Sequence, residues 1–564
     1  MPDIKIIPLG GVREAGKSCF IVEVDDAIFV LDCGLMYPDN DLLGIDVVIP
    51  DFTYLEENKD RIEGIFLTHG HADAVGALPY LLEKIQVPVF GTDLTIELAK
   101  IYAEEASVDV KFNNYHVVDS ETEIAFDNGV QISFIRMTHS IPDAVAIVLT
   151  TQAGSIVYTG DFKFDQSAKP MYQTDFGRLT DVGEQGVLAL LADSREAESP
   201  VENSTEYLIR DEIVNIFLNA PGRVIVASIA SNIHRLQQIL EAAHETRRKV
   251  YLTGRKLERI IDTALKMDRL TLPDKDLIVD KKEIEKLPDN EVLILETGAM
   301  GEPTHALQQM AKGRHKDVTL KQGDYVYFAT TPNIAMETVL AQTKDLIYQA
   351  EAEVAALPSH IKQSGHATPN DLKLLMNLLK PTYIIPVLGD FNKLLAQTNL
   401  SKEVGIPVRN TYVATNGDII SFVDGKMRIS GEVTAGNVLV DGSGVGDIGN
   451  IVLKDRRILS EDGIFVAVLT ISRRDKVILT GPRVMSRGFV FMKASGDMLK
   501  ESQNLVKEVV ETYLAGPDFD WGELKQKIRE TLSRYLFEQT RRRPVVLPVI
   551  MEASNYRRQN RDKK

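Results

Sequence analysis

Short apolar runs that stop at an ionisable residue recur through the first two hundred residues, and few folds can accommodate them. Ile28-Phe-Val-Leu31 leads into Asp32, Ile62-Glu-Gly-Ile-Phe-Leu-Thr68 into His69, Ile132-Ser-Phe-Ile-Arg-Met-Thr138 into His139, and Ile156-Val-Tyr158 into Thr159-Gly160-Asp161. Runs of this length, rich in Ile, Val and Phe, read as buried strands. Helical stretches such as 75–84 separate them, so this region is an α/β domain with polar groups gathered at strand ends.

The sharpest of these ends is Thr68-His69-Gly-His71-Ala-Asp73. In extended backbone, residues i and i+2 project to the same side, so the imidazoles of His69 and His71 can share one cation, with Asp73 one step further. One such pair could be ordinary loop polarity. A third histidine, His139, and a carboxylate, Asp161, at further strand ends make a four-ligand set suited to Zn2+ or Mn2+.

A second α/β pattern runs from about 202 to 360, with strands expected at 223–230, 249–253, 291–296 and 325–329. The helix at 369–379 and the strand at 383–387 return to the style of the first domain, which predicts an insertion: residues 1–200 and 366–430 form one domain around an inserted 201–365. Six glycines between Gly431 and Gly449 mark a linker over 431–450. A smaller α/β domain is expected over 451–556, with strands at 464–471, 477–479, 489–492 and 545–549. One of its two helices carries Leu524, Ile528, Leu532 and Tyr535 on one face. The tail at 557–564 is basic and reads as disordered.

Composition narrows the class. The chain has 564 residues, 44% apolar and 26% charged, and no apolar run approaches the roughly 18 residues that span a bilayer. Its net charge of −17 excludes a uniformly basic surface but leaves room for a local basic groove. Two cysteines, Cys19 and Cys33, are too few for a disulfide framework and read as buried thiols. The N-terminus shows no secretory pattern, so a cytoplasmic location is expected.

His69, His71, Asp73, His139 and Asp161 resemble the ligand positions of the metallo-β-lactamase superfamily, whose motif is His-x-His-x-Asp-His with a later His and a later Asp. The closer resemblance, over essentially the whole chain, is to the ribonuclease J family, a β-CASP group of that superfamily. It is carried by Leu9-Gly-Gly11-Val-Arg-Glu14, Asp32-Cys-Gly-Leu-Met-Tyr-Pro38, His139-Ser-Ile-Pro142, Thr159-Gly-Asp161-Phe-Lys-Phe164, Ala230-Ser-Asn232-Ile-His234-Arg235, Thr297-Gly-Ala-Met-Gly301-Glu302-Pro303, Ser364-Gly-His366 and Arg541-Arg-Arg-Pro544 with Leu547-Pro-Val-Ile-Met551. The resemblance implies an αββα metallo-β-lactamase sandwich, an inserted α/β β-CASP domain and a small α/β C-terminal oligomerisation domain.

It also implies roles. One metal site would use His69, His71, His139 and bridging Asp161, and a second would use Asp73, Asp161 and two histidines that are here Ala74 and Leu388. Neither a methyl group nor an isobutyl group can ligate, so one ion, Zn2+ or Mn2+, is expected and a second is not. Asp73 and His366 are the expected catalytic residues, with Ser364, Gly365 and His366 holding a phosphate and His366 donating a proton. Asp32 and Asp193 would stand behind the ligands. Arg195-Glu196 departs from the family's Asp-Ser-Thr-Asn, and Asp390 is a minor candidate ligand. Asn232 and Arg235 would contact RNA, and Arg255, Lys256 and Arg259 could line its groove. Arg541 to Arg543 would flank an edge strand.

By this resemblance the chain is of the family's degenerate paralogue type. It would be a 5′-to-3′ exoribonuclease and endoribonuclease of mRNA decay and rRNA maturation, weak alone and acting with an intact sister subunit, as a homodimer, heteromer or tetramer and without a membrane. The alternatives are a non-catalytic RNA-binding or assembly subunit, and a small-molecule hydrolase.

Overall fold

Strands Val187–Asp193 and Tyr383–Val387 pair in parallel, although the whole of 194–382 lies between them in the chain. In the computed structural model, which describes residues 2–38, 42–297, 303–329, 337–442, 444–489 and 496–553, most of that intervening chain builds a sheet of its own. Two units separate: residues 1–37 with 46–443, and residues 38–45 with 444–564.

The first unit holds two large sheets. An eight-stranded sheet runs, edge to edge, through Lys426–Glu432, Asp418–Val423, Ile4–Gly10, Cys19–Val24, Ala27–Leu31, Ile62–Phe66, Val89–Gly91 and Tyr115–Val117. A six-stranded sheet runs through Tyr383–Val387, Val187–Asp193, Gly154–Tyr158, Val145–Thr151, Gln131–Arg136 and Glu123–Ala125. Phe20, Phe29 and Phe66 of the first sheet and Phe134, Tyr158 and Ile385 of the second share one buried core, as alternation along each strand requires. The other face of the six-stranded sheet is buried under helices Phe176–Gln185, Pro369–Leu379 and Phe391–Glu403, which contribute Leu179, Leu375, Met376, Leu379 and Leu400. Helix Asp93–Glu105 packs on the far edge of the first sheet. Helices outside two facing sheets make the αββα sandwich.

The inserted sheet is five-stranded and wholly parallel, in the order Lys249–Thr253, Val292–Glu296, Val224–Ala227, Tyr325–Phe328 and Glu353–Ala355. Its strands read as continuous apolar runs because helices cover both faces, giving a separate core on each side.

The second unit has a three-stranded sheet, Val477–Arg487, Ile464–Ser472 and Val545–Glu552, backed by helices Gly496–Ala515 and Trp521–Thr540. Leu524, Ile528, Leu532 and Leu536 are buried against Phe465 and Val510.

Several expectations need correction. The helix expected at 75–84 is two short ones, Ala72–Val75 and Leu78–Lys84. The stretch expected as a linker contains the strand Asn437–Asp441, paired antiparallel with Val47–Pro50, because its Val-Leu-Val run can be buried. The strand begun at Val477 extends to Arg487. The strand expected at 489–492 falls largely on residues outside the described ones, as do residues 298–302 of the Thr297–Pro303 motif and the tail at 557–564. Cys19 and Cys33 are buried free thiols.

Candidate metal centre

The ends of both large sheets meet at one place, where the Val145 N–H donates to the Thr68 carbonyl at 2.9 Å. His69 leaves strand Ile62–Phe66, His71 precedes helix Ala72–Val75, and Asp73 sits in that helix's first turn. His139 and Asp161 leave strands Gln131–Arg136 and Gly154–Tyr158 of the six-stranded sheet, and Asp193 ends the next one. His366 lies in the loop before helix Pro369–Leu379.

The three rings of His69, His71 and His139 stand pairwise 4.9 Å apart between centroids. His71 Nδ1 and His139 Nε2 face each other at 3.1 Å. His69 Nε2 lies 3.7 Å from an Asp161 oxygen and 3.9 Å from an Asp73 oxygen.

Surrounding groups fix the ring orientations. The Thr68 hydroxyl donates to Asp32 at 2.8 Å, so at 2.9 Å from His69 Nδ1 it accepts that N–H and leaves Nε2 with its lone pair inward. His69 Nε2 is buried without any hydrogen-bond partner. His139 Nδ1 donates to the Gly365 carbonyl at 2.8 Å. Asp32, with φ +60°, also accepts the Thr68 N–H and the Tyr158 hydroxyl, both at 2.8 Å. Burial raises the Asp32 pKa to about 7 against those bonds. Gly160, at φ +56°, lets the Thr159-Gly-Asp161 turn pass Thr68, whose side chain a Cβ would meet at 2.7 Å.

Burial, reinforced by repulsion between the rings, lowers the pKa of His69 and His71 to about 4 and of His139 to about 3. All three are therefore neutral near pH 7, the form in which imidazole ligates. Neutral imidazoles, a buried carboxylate and an unpartnered Nε2 aimed among them fit a divalent cation, and ligand atoms of His69, His71 and His139 lie within 4.8 Å of one another.

The two positions where the resemblance expects further imidazoles hold buried apolar side chains. Ala74 is 0% exposed and Leu388 1%. Leu388 holds φ +59°, a left-handed conformation costly for a bulky side chain. Arg195, whose role sequence alone does not suggest, reaches two of the carboxylates. Its guanidinium lies 2.6 Å from Asp73 and 3.6 Å from Asp161. Burial works to raise the pKa of both carboxyls, but Arg195 and the neighbouring histidines hold them below the ordinary range.

His366 Nδ1 donates to Asp193 at 2.8 Å and lies 4.0 Å from Asp161. Burial opposes its protonation, yet Asp193 and Asp161 raise its pKa above the ordinary value. The Ser364 hydroxyl is 3.3 Å from Glu196, which Lys362 pairs at 2.6 Å.

The remaining sequence candidates lie elsewhere. Asn232 caps helix Ile233–Glu245 by accepting the Arg235 N–H. Arg235 is 4% exposed and paired with Glu206 and Gln238, so its guanidinium faces a carboxylate inside the fold. Lys256 and Arg259 pair with Glu105 and Glu104, while Arg255 is exposed. Asp390 pairs with Lys393 at 3.1 Å. Arg541 and Arg543 cover the Phe537 ring.

Comparison with known proteins agrees with this architecture. Residues 12–198 match the metallo-beta-lactamase superfamily, 221–342 the ribonuclease J beta-CASP domain, 351–410 the Zn-dependent metallo-hydrolase RNA specificity domain and 451–553 the ribonuclease J C-terminal domain. The chain is 50% identical to Ribonuclease J 2 of Streptococcus pyogenes, over 98% of this chain and 100% of that one. It is 44% identical to Ribonuclease J 2 of Staphylococcus aureus, over 98% of each. A crystal structure of a protein of unknown function from Enterococcus faecalis shares the fold, at a TM-score of 0.52 and 14% identity, over 74% of this chain and 100% of that one. The chain belongs to the ribonuclease J family of metallo-β-lactamase-fold hydrolases.

Proposed function

We propose that the chain hydrolyses RNA phosphodiesters at the three-histidine centre, slowly by itself, and that in the cytoplasm it works with an intact sister subunit in mRNA decay and rRNA maturation. The observation that carries this is the cluster of neutral, inward-facing imidazoles of His69, His71 and His139 beside Asp161. One Zn2+ or Mn2+ would be held by these four residues, and when bound it supplies Lewis acidity toward a phosphoryl oxygen and activates water at neutral pH.

The chain's own groups divide the other tasks. Against burial, Asp193 and Asp161 favour the imidazolium form of His366, which donates Nδ1–H to Asp193 and carries a second proton at Nε2 for the departing oxygen. The Ser364 hydroxyl, which donates to Glu196 and accepts the His366 N–H at 3.2 Å, orients the phosphate together with that N–H once Ser364 turns away from both. Ala74 and Leu388 explain weakness, because an isolated ion stabilises the transition state less than a pair. Association is supported by the outer face of the C-terminal sheet, which exposes Met485, Leu547, Val549 and Met551.

Single-turnover cleavage of 5′-labelled RNA at excess enzyme, with Mn2+ and with or without sister subunit, tests this. Slow Mn2+-dependent cleavage, accelerated by the sister chain, is expected. RNA binding at low salt without any cleavage would favour an assembly subunit instead, and absence of RNA binding would overturn the proposal.

A further inference from the structure

The pocket holding Asp73 and Asp161 has to compensate two carboxylates that are largely removed from water, with side chains 22% and 3% exposed. In a dinuclear hydrolase a second cation does this. Here the expected imidazole positions are Ala74 and Leu388, and the positive charge that reaches both carboxylates is the Arg195 guanidinium, while His366 lies 4.0 Å from Asp161. We propose that Arg195 is a built-in cation that stands in for the second metal ion, clamping Asp73 and Asp161 and limiting the centre to one ion.

Three observations support the assignment. Arg195 reaches both carboxylates, with Nη2 at 2.6 Å from Asp73 and Nη1 at 3.6 Å from Asp161. Its backbone is fixed for that reach: the Arg195 N–H donates to Asp193 at 2.9 Å and the Ser194 N–H to the Val387 carbonyl at 3.0 Å. A Cβ on Gly389 would lie 3.5 Å from the Ser194 Cβ, so the turn carrying Leu388 packs against the segment that delivers the arginine. The substitutions are also mutually consistent in charge. Losing two neutral imidazoles leaves the carboxylate charge unchanged, and a guanidinium, which stays charged at any physiological pH, offsets one of the two negative charges without a dissociable ion. An ordinary divalent cation and Arg195 cannot both contact Asp73 and Asp161 from the same side.

The inference rests on reading the histidine cluster as a metal centre, and the test separates the two. The full-length chain is equilibrated with Mn2+ and desalted, bound ions are counted by mass spectrometry, and the spectrum is read by electron paramagnetic resonance. The native chain is expected to hold one ion with an uncoupled Mn2+ signal. Arg195→Gln frees Asp73 and Asp161 and leaves Asp193 and His366 beside them, with Asp161, Asp193 and His366 offering atoms within 4.8 Å. This variant is expected to melt on the order of 5 °C lower without metal, and to take up a second ion at millimolar Mn2+, with a spin-coupled signal and recovered stability. Arg195→Lys, which keeps a charge, is expected to stay at one ion. A spin-coupled pair in the native chain overturns the role of Arg195 even if no variant folds. One ion and an unchanged melt in Arg195→Gln overturns it as well. No bound ion in the native chain overturns the metal centre itself.

Discussion

Replacing Gly365 by alanine would place a methyl carbon 2.8 Å from His139 Cε1 and 3.0 Å from its Nδ1. Gly365 does not need a left-handed φ, so the backbone tolerates the substitution and the cost falls on the contact. Restoring an ordinary separation of 3.4 Å moves the ring by about 0.6 Å, roughly three times the ±0.2 Å within which metal–ligand distances are held. The same shift stretches the 2.8 Å bond from His139 Nδ1 to the Gly365 carbonyl that orients the ring. Disturbing such a supporting bond lowers metal affinity by about 10- to 100-fold, or about 1.4 to 2.7 kcal/mol. Competition with a chelator of known affinity measures this, using Gly436→Ala as control because a Cβ there meets nothing within 4 Å. Affinity within twofold of native in Gly365→Ala would refute the claim that His139 is a ligand positioned by this carbonyl.

Other perturbations have defined outcomes. Ala74→His with Leu388→His leaves Arg195 on Asp73 and Asp161, so RNA cleavage should rise less than tenfold; adding Arg195→Thr should raise it by at least about tenfold, and full recovery in the double variant would contradict this. Burial raises the Glu296 pKa from 4.5 to about 8, and its Oε2 has no hydrogen-bond partner. The folded state thus holds a proton that the unfolded state has lost between those values, and stability falls as pH rises through that window. Glu296→Gln should stabilise the protein by about 2 to 3 kcal/mol near pH 7 to 8 and leave it unchanged below pH 5, read from urea midpoints. Equal effects at both pH values would show that Glu296 is ionised when folded.

The gathering of His69, His71, His139 and Asp161 was legible because each lies within a few residues of the end of an apolar run, so local pattern alone puts it at a strand end. The insertion was legible because the helix and strand after residue 366 share the first domain's pattern, and Val187–Asp193 pairs with Tyr383–Val387. Arg195 was not legible as a clamp: its partner Asp73 is 122 residues away, and sequence shows only that the residue departs from the family pattern. The pairing of Arg235 with Glu206, 29 residues upstream, was likewise not legible, since basic character alone does not show which carboxylate a guanidinium faces. The strand Asn437–Asp441 was hidden by surrounding glycines, and its partner Val47–Pro50 lies far away in the sequence, near the start of the chain.

The most direct measurement compares native protein with His71→Ala in single-turnover cleavage of 5′-labelled RNA in the presence of Mn2+, with both proteins purified identically. Slow, Mn2+-dependent cleavage by the native chain and none by His71→Ala is the expected result. Equal cleavage by the two would place the chemistry somewhere other than the three-histidine centre.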